Sequence, residues 1–224
     1  MQISFIVPTL NEEAVIGAAL QTLQSARVRG HEVIIVDGGS KDGTLALCTG
    51  LVNQIVSSER GRARQMNAGA AIAHGDILVF LHADTQLPAD ADLHVLVTLA
   101  RAECVWGRFD IRLAGGNPVY RLIEFMMNLR SRVSGIATGD QTIFVRRNIF
   151  QTLGGYPDIP LMEDIAICRT LKRFARPHCL RARAVTSCRR WEKRGILRTM
   201  ILMWRLRLAY ALGVSAQRLA EYYD

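Results

Sequence analysis

The chain has 224 residues, 50% of them apolar and 21% charged, which suits one globular domain or one domain with a small extension. That balance excludes a disordered or fibrous protein. The net charge of +8 is uneven: the first 100 residues carry 6 Lys/Arg and 10 Asp/Glu, and the rest carry 22 and 10. A basic C-terminal half points to an anionic partner, whether substrate phosphates, acidic lipid headgroups or nucleic acid, or simply to a solvated Arg-rich surface.

In chain order, Met1–Pro8 lacks the basic flank and length of a signal peptide. Ile3–Val7 therefore reads as a buried first strand. Short, continuous apolar runs at Glu32–Val36, Gln54–Ser57 and Ile77–Leu81 read as further strands buried on both faces. Between them, Asn11 can cap a helix in which Val15, Ile16, Ala19, Leu20 and Leu23 recur at helical spacing. Asp42 or Ser40 can cap a second helix around Thr44–Leu51, and a third runs over about Ala63–Ala73. Strand–helix alternation implies a parallel sheet with right-handed crossovers. The second half is mixed. A strand near Val105–Arg112 precedes a helix near Pro118–Ser131, then come a strand near Gln141–Arg146, a helix near Ile165–Phe174, a strand near Cys179–Thr186 and two closing helices. The fold class is α/β, with a Rossmann-like mixed central sheet flanked by helices. The five cysteines (48, 104, 168, 179 and 188) form no CxxC pair, so they read as reduced thiols of a reducing compartment.

In an open parallel sheet, ligands bind beyond the C-terminal strand ends. Polar clusters follow the strands directly: Pro8–Glu12 after the first, Asp37–Ser40 after the second, His82–Asp84 after the fourth. Asp37 can accept from a ribose hydroxyl or a base N–H, with Gly38 and Gly39 allowing close approach; it can equally bond its own backbone in a turn. Arg60, Arg62 and Arg64 crowd a helix start, where the dipole opposes cations unless an anion is held there. Asp84 can hold a divalent ion, and Mn2+ tolerates an imidazole such as His82; Asp84 can equally cap a turn. Glu163 and Asp164 can divide positioning from proton removal, or favour a helix start. Arg189 and Arg190 can neutralise a diphosphate, and Trp191 can stack on a sugar or join the core. No GxGxxG or GxxxxGK[ST] is present, which argues against a Rossmann dehydrogenase and a P-loop nucleotidase.

Together, PTLNE (Pro8–Glu12), VDGGSKDGT (Val36–Thr44), GRARQMNAG (Gly61–Gly69), HAD (His82–Asp84), ED (Glu163–Asp164) and RRW (Arg189–Trp191) resemble the family 2 glycosyltransferases, from Ile3 to Trp191. The chain looks closest to a bacterial branch named for radical-SAM/selenodomain gene neighbours. The resemblance implies a GT-A fold over residues 1–195, a helical extension over 196–224 and an inverting transfer from a nucleotide-diphosphate sugar, with UDP expected. It implies that Pro8, Thr9, Asn11, Glu12, Asp37, Gly38, Arg62, Asn67 and Ala83 surround the nucleotide. Asp84 would hold Mg2+ or Mn2+, Asp164 would be the general base and Glu163 would position the acceptor. Gly139, Asp140 and Gln141 would lie on the acceptor side, and Arg189, Arg190 and Trp191 would close over diphosphate and acceptor. Two positions depart from the family pattern: His82, where the metal motif usually has an acid, and Ser187, where the last motif often has Gln. The acceptor is expected to be lipid-linked or a small molecule, with no role for nucleic acid, since no recognisable module for it is present. Two other readings are a non-catalytic nucleotide-sugar binding protein, favoured by His82 and opposed by the intact Glu163–Asp164 pair, and a nucleotidyltransferase, opposed by the acidic first loop.

Ile196–Val214 is apolar but contains Arg198, Arg205 and Arg207. Each Arg costs about 2.5–3.5 kcal/mol near a bilayer centre, more than the surrounding Leu, Ile and Val return, so a span is rejected. Arg194, Arg198 and Arg205 share one helical face, which fits either an interfacial helix over 194–214 or a helix packed on the catalytic domain. The expected location is cytoplasmic, with peripheral contact at the inner face of the membrane.

Overall fold

The computed structural model describes residues 1–189, 192 and 195–222. Apolar, β-branched runs set its centre. Every residue of β1 (Ile3–Thr9), β2 (Glu32–Asp37) and β4 (Ile77–Phe80) is buried. β1 pairs in parallel with both β2 and β4, and β2 with β3 (Gln54–Ser57). Alternating side chains divide these strands between two cores. Phe5, Val7, Val33 and Ile35 meet Ile16 and Leu20 of α1 (Glu13–Thr22) and Val95 of α5 (Ala91–Leu99) on one side. Ile6, Ile34 and Val36 meet Ala63 and Met66 of α4 (Arg62–Ile72), Phe150 of α7 (Arg147–Thr152) and Ile167 of α8 (Glu163–Leu171) on the other.

The full sheet has eight strands in the order β3-β2-β1-β4-β7-β6-β8-β5, adding β5 (Thr85–Gln86), β6 (Trp106–Leu113), β7 (Ile143–Arg146) and β8 (His178–Thr186). β7 is antiparallel to both β4 and β6, whereas β6 and β8 are parallel. The C-terminal ends of β1 to β4, β6 and β8 therefore share one edge with the N-terminal end of β7. The architecture is the mixed α/β sheet expected.

Several boundaries differ from expectation. The strand sought at Gln141–Arg146 begins at Ile143, because Gly139–Gln141 forms a 3-10 turn. Gln141 is fully buried there, its Oε1 accepting from the Thr138 N–H at 3.3 Å. Asn11 does not cap α1; it has φ +54° and its Oδ1 accepts from the Lys41 N–H at 2.8 Å, so the helix begins after Glu12. The second helix is α3 (Thr44–Cys48), which ends before Gly50 at φ +78°. The short α2 (Gln24–Val28), α5, α7 and β5 have no counterpart in the sequence reading.

α6 (Pro118–Ser134) lies against β6, capped by the Asn117 side chain at one end and by Gly135 at φ +68° at the other. α9 (Ile196–Ala211) and α10 (Ala216–Glu221) close the chain. Leu206 and Leu219 pack with Leu161, Met162 and Ile165 at the start of α8. Among the described residues no helix is long and apolar enough to cross a membrane.

The α4–sheet contact is tight at Gly69. A Cβ there would stand 2.5 Å from Ile6 Cγ2 and 2.8 Å from Val36 Cγ2. Both are β-branched and fully buried, so neither can swing aside. Gly69→Ala is expected to cost about 1–3 kcal/mol of stability through overpacking, read as a lower urea midpoint; an unchanged midpoint would mean that α4 is free to shift.

Candidate active site

The shared strand edge carries a cleft of about 810 Å³. Pro8, Thr9, Glu12, Arg62, His82, Ala83, Asp84 and Asp140 line it, drawn from the loops after β1 and β4, the start of α4 and the turn before β7. Arg60 and Gln65 line it too. Gln65 fixes the floor: its Nε2 donates to the carbonyls of Thr9 and Val36, each at 2.8 Å. Arg189 reaches across from beyond β8, its Nη2 donating to Glu12 Oε2 at 2.8 Å. Arg190 and Trp191 lie outside the described residues.

Four expected binding residues are not among those that line the cleft. Asp37 is 3% exposed, and its Oδ2 accepts from the N–H groups of Gly39 and Ser40, both at 2.9 Å. Its Oδ1 accepts from Ser40 Oγ at 2.5 Å, so the carboxylate is occupied in shaping the loop after β2. A Cβ on Gly38 would stand 3.2 Å from the Gln65 side chain, so that side chain closes the space beside the glycine. Asn67 ties α4 to the loop before α8, donating to the Tyr156 carbonyl at 2.8 Å and accepting from its N–H at 2.9 Å. Asn11 is bound to the Lys41 backbone as described.

Glu163 and Asp164 open α8 at the inner end of the site. Together with His82 and Gly139 they line a cavity of about 10 Å³. His82 also lines the main cleft, so it separates the two spaces. Asp164 Oδ2 accepts from the Gly139 N–H at 3.1 Å and Oδ1 from its neighbour Ile165 N–H at 2.7 Å. Burial, then the adjacent Glu163 carboxylate, push the Asp164 carboxyl up to about 6; the two N–H donors and Arg62 oppose the rise. Arg62 Nη1 stands 3.8 Å from Glu163 Oε1, joining the starts of α4 and α8.

Among the described residues the three non-glycine residues at positive φ, Asn11, Thr142 and Met162, all flank this site. Met162 immediately precedes Glu163, so its left-handed backbone sets how α8 presents the pair. Strain of this kind, on the order of 1–3 kcal/mol each, collects where geometry is fixed for function.

His82 Nδ1 lies 3.2 Å from Asp140 Oδ1, and its Nε2 lies 2.1 Å from where a Gly139 Cβ would stand. Its ring nitrogens thus face Asp140 and the Gly139 backbone, an arrangement that suits a wall rather than a metal ligand. Among the described residues no three His, Cys, Asp or Glu side chains gather to cage an ion. The donor set still fits a divalent cation, because Mg2+ is usually held by one or two carboxylates together with substrate phosphates. Asp84 lines the cleft and offers one such carboxylate.

Arg130 of α6 escaped the sequence reading, being one of three arginines in that helix with Arg121 and Arg132. Its Nε and Nη2 are buried with no acceptor among the described residues. Burial lowers its pKa; Asp164 opposes that, Arg108 adds to it, and Asp140 opposes it more weakly.

The sheet, the cleft at its edge and the carboxylate pair beside it define a GT-A glycosyltransferase fold. The chain belongs to glycosyltransferase family 2, whose model, "Glycosyl transferase family 2", matches residues 4–174. The "PGL/p-HBAD biosynthesis glycosyltransferase" of Mycobacterium bovis is 32% identical over 165 residues, covering 68% of this chain and 62% of that protein. This chain thus spans less than two thirds of the length of that relative. The fold is similar to S. aureus TarS 1-349 solved with UDP-GlcNAc (TM-score 0.68, 20% identity, 84% of this chain and 58% of that one). It is similar also to the mannosyltransferase PcManGT of Pyrobaculum calidifontis solved with GDP-Man and Mn2+ (TM-score 0.66, 23% identity, 93% and 61%).

A raised carboxyl pKa has a stability consequence. Ionising Asp164 is harder in the folded chain than in the unfolded one, so its unfavourable term grows from about pH 4 to about pH 6 and is then constant. Asp164→Asn removes that term. Relative to the parent, the variant is expected to gain on the order of 1–3 kcal/mol between pH 4 and pH 7, measured by chemical unfolding at both. A pH-independent difference would mean that Asp164 titrates normally.

Proposed function

We propose that this chain transfers a sugar from a nucleotide-diphosphate sugar, with UDP as the nucleotide, to an acceptor hydroxyl, inverting the anomeric carbon. The observation that supports this best is Asp164: a mostly buried carboxylate at the start of α8, divided from the cleft by His82, with its pKa raised towards neutrality. A general base works best when its pKa approaches the working pH.

In this reading the acceptor hydroxyl approaches Asp164 from the Gly139–Asp140 side, with His82 moving aside or turning to admit it. Asp164 takes the hydroxyl proton as that oxygen attacks the anomeric carbon, and the nucleoside diphosphate leaves from the opposite face. Glu163 orients the acceptor, steadied by Arg62. Pro8, Thr9, Glu12 and Ala83 contact the nucleotide directly, whereas Asp37, Gly38, Asn11 and Asn67 hold the loops that shape its pocket. Arg60 and Arg62 supply positive charge for the diphosphate. Arg189, held by Glu12, would act with Arg190 and Trp191 on the diphosphate and acceptor. Asp84 would hold Mg2+ or Mn2+, which supplies charge against the leaving diphosphate when bound.

The reading extends to the rest of the chain. Residues 1–195 form the catalytic unit and 196–224 a helical extension, and the stretch 194–214 across their boundary touches the inner face of the cytoplasmic membrane. The branch associated with radical-SAM/selenodomain proteins is the family subgroup we assign, on the motifs from Pro8 to Trp191.

Asp164→Asn is expected to keep nucleotide binding, read as the thermal shift produced by UDP, and to lose transfer by about 10²–10⁴-fold. Full transfer in the variant would discard the base assignment. For the parent, kcat/KM is expected to rise with pH through an apparent pKa near 6 and then level. A profile flat from pH 5 to pH 8 would exclude this carboxyl as the base.

A further inference from the structure

We infer that the acceptor is a membrane amphiphile with an anionic headgroup, drawn from an anionic bilayer through the gap between α6 and α9; this rests on the transferase reading above. α6 is apolar on two faces. Tyr120, Ile123 and Met127 pack inward, against Ile196 and Met200 of α9 among others. On the outer face Val119, Leu122, Leu129 and Val133 are 43%, 59%, 47% and 71% exposed. Their spacing of three or four residues, with Met126 between, makes one continuous stripe. α9 repeats the pattern: Leu197, Ile201, Trp204 and Leu208 are 70%, 46%, 56% and 62% exposed.

A single exposed Leu is ordinary, but two apolar stripes on adjoining helices mark a surface that something covers. Charge selects what covers it. Arg198 and Arg205 of α9 are exposed, and the chain carries +8 overall with its excess of cations after residue 100. Apolar stripes accompanied by exposed arginines suit the boundary of an anionic bilayer.

Between the two helices lies a cavity of about 340 Å³. Met126 and Trp204, from the exposed stripes, line it, as do Met200 and Met203. It reaches Asp84 and Asp140, which also line the donor cleft, so it links the apolar face to the reaction site. Arg130 lines the same cavity with two buried nitrogens lacking acceptors among the described residues. Two buried guanidinium nitrogens without acceptors are costly, and a phosphate oxygen supplied by a ligand would satisfy them. The cavity therefore suits an acceptor with a hydrocarbon part between α6 and α9, an anion at Arg130 and a hydroxyl at the cleft end. A second copy of the chain or a protein partner could cover the stripes but would leave Arg130 unsatisfied.

The test uses the full chain and vesicles of dioleoyl phosphatidylcholine, with or without dioleoyl phosphatidylglycerol. Co-flotation is expected only with phosphatidylglycerol present. Leu122→Glu combined with Leu129→Glu, both on the exposed stripe, is expected to weaken partitioning at least about tenfold. Brominated lipid chains are expected to quench tryptophan emission, and Trp204→Phe should lose most of that quenching. At fixed phosphatidylglycerol content, bromine on phosphatidylglycerol should quench more than bromine on phosphatidylcholine, and Arg130→Gln should lose the difference. A UDP thermal shift is measured alongside. A chain that shifts with UDP but does not float overturns the inference and leaves the transferase reading intact, whereas one that floats without any nucleotide response overturns that reading instead. A concentration-dependent dimer that the double Glu variant abolishes, without flotation, assigns the stripes to self-association and also overturns the inference. Equal quenching by the two brominated lipids overturns the role given to Arg130.

Discussion

The site turns on one electrostatic constraint: a carboxylate kept mostly out of water with only two backbone donors to compensate it. Gly139 and Ile165 give Asp164 one N–H each. Without desolvation, two or three such bonds drive a carboxylate pKa well down. Here burial and the adjacent Glu163 outweigh them. The surrounding structure serves this balance. Met162 in the left-handed region aims the first turn of α8, Gly139 leaves room for the His82 ring, and Arg62 steadies Glu163. A side chain on Gly139 would meet that ring, so the donor to Asp164 and the wall of the cleft share one small residue.

Around that carboxylate, most polar side chains of the cleft region are structural in action. Gln65 ties the ends of β1 and β2 together, Asn67 clamps Tyr156, and Asp37 organises the Gly39–Ser40 turn. Buried polar groups must find partners, and here the partners are loop backbones that would otherwise be mobile. A rigid cleft wall follows, which is what a site that positions a sugar and a nucleophile requires.

Much of the fold was legible because it rests on strand burial. Ile3–Val7, Glu32–Val36 and Ile77–Leu81 are continuous apolar runs, and such runs permit little except strands covered on both sides. The cleft at their C-terminal edge follows from topology. What the sequence reading missed depends on long-range contacts. Gln141 reads as the start of a strand until it is seen buried in the Gly139–Gln141 turn. Asp37 offers a carboxylate after a strand whether it faces a ligand or its own turn, and spacing does not separate the two. Arg130 carries no local signal, since its significance comes from Asp164 on another helix and from a cavity closed by residues of α9. The outward apolar stripe of α6 was readable as a periodicity, but periodicity does not say which of two apolar faces stays uncovered.

The most direct measurement is the ionisation of Asp164 itself, followed by carbon NMR on the chain labelled at aspartate side-chain carboxyls and assigned with Asp164→Asn. A midpoint near 6 is expected, well above the ordinary value of 3.8. A midpoint at the ordinary value would mean that water reaches the carboxylate freely, and the base at the centre of the proposed chemistry would be lost.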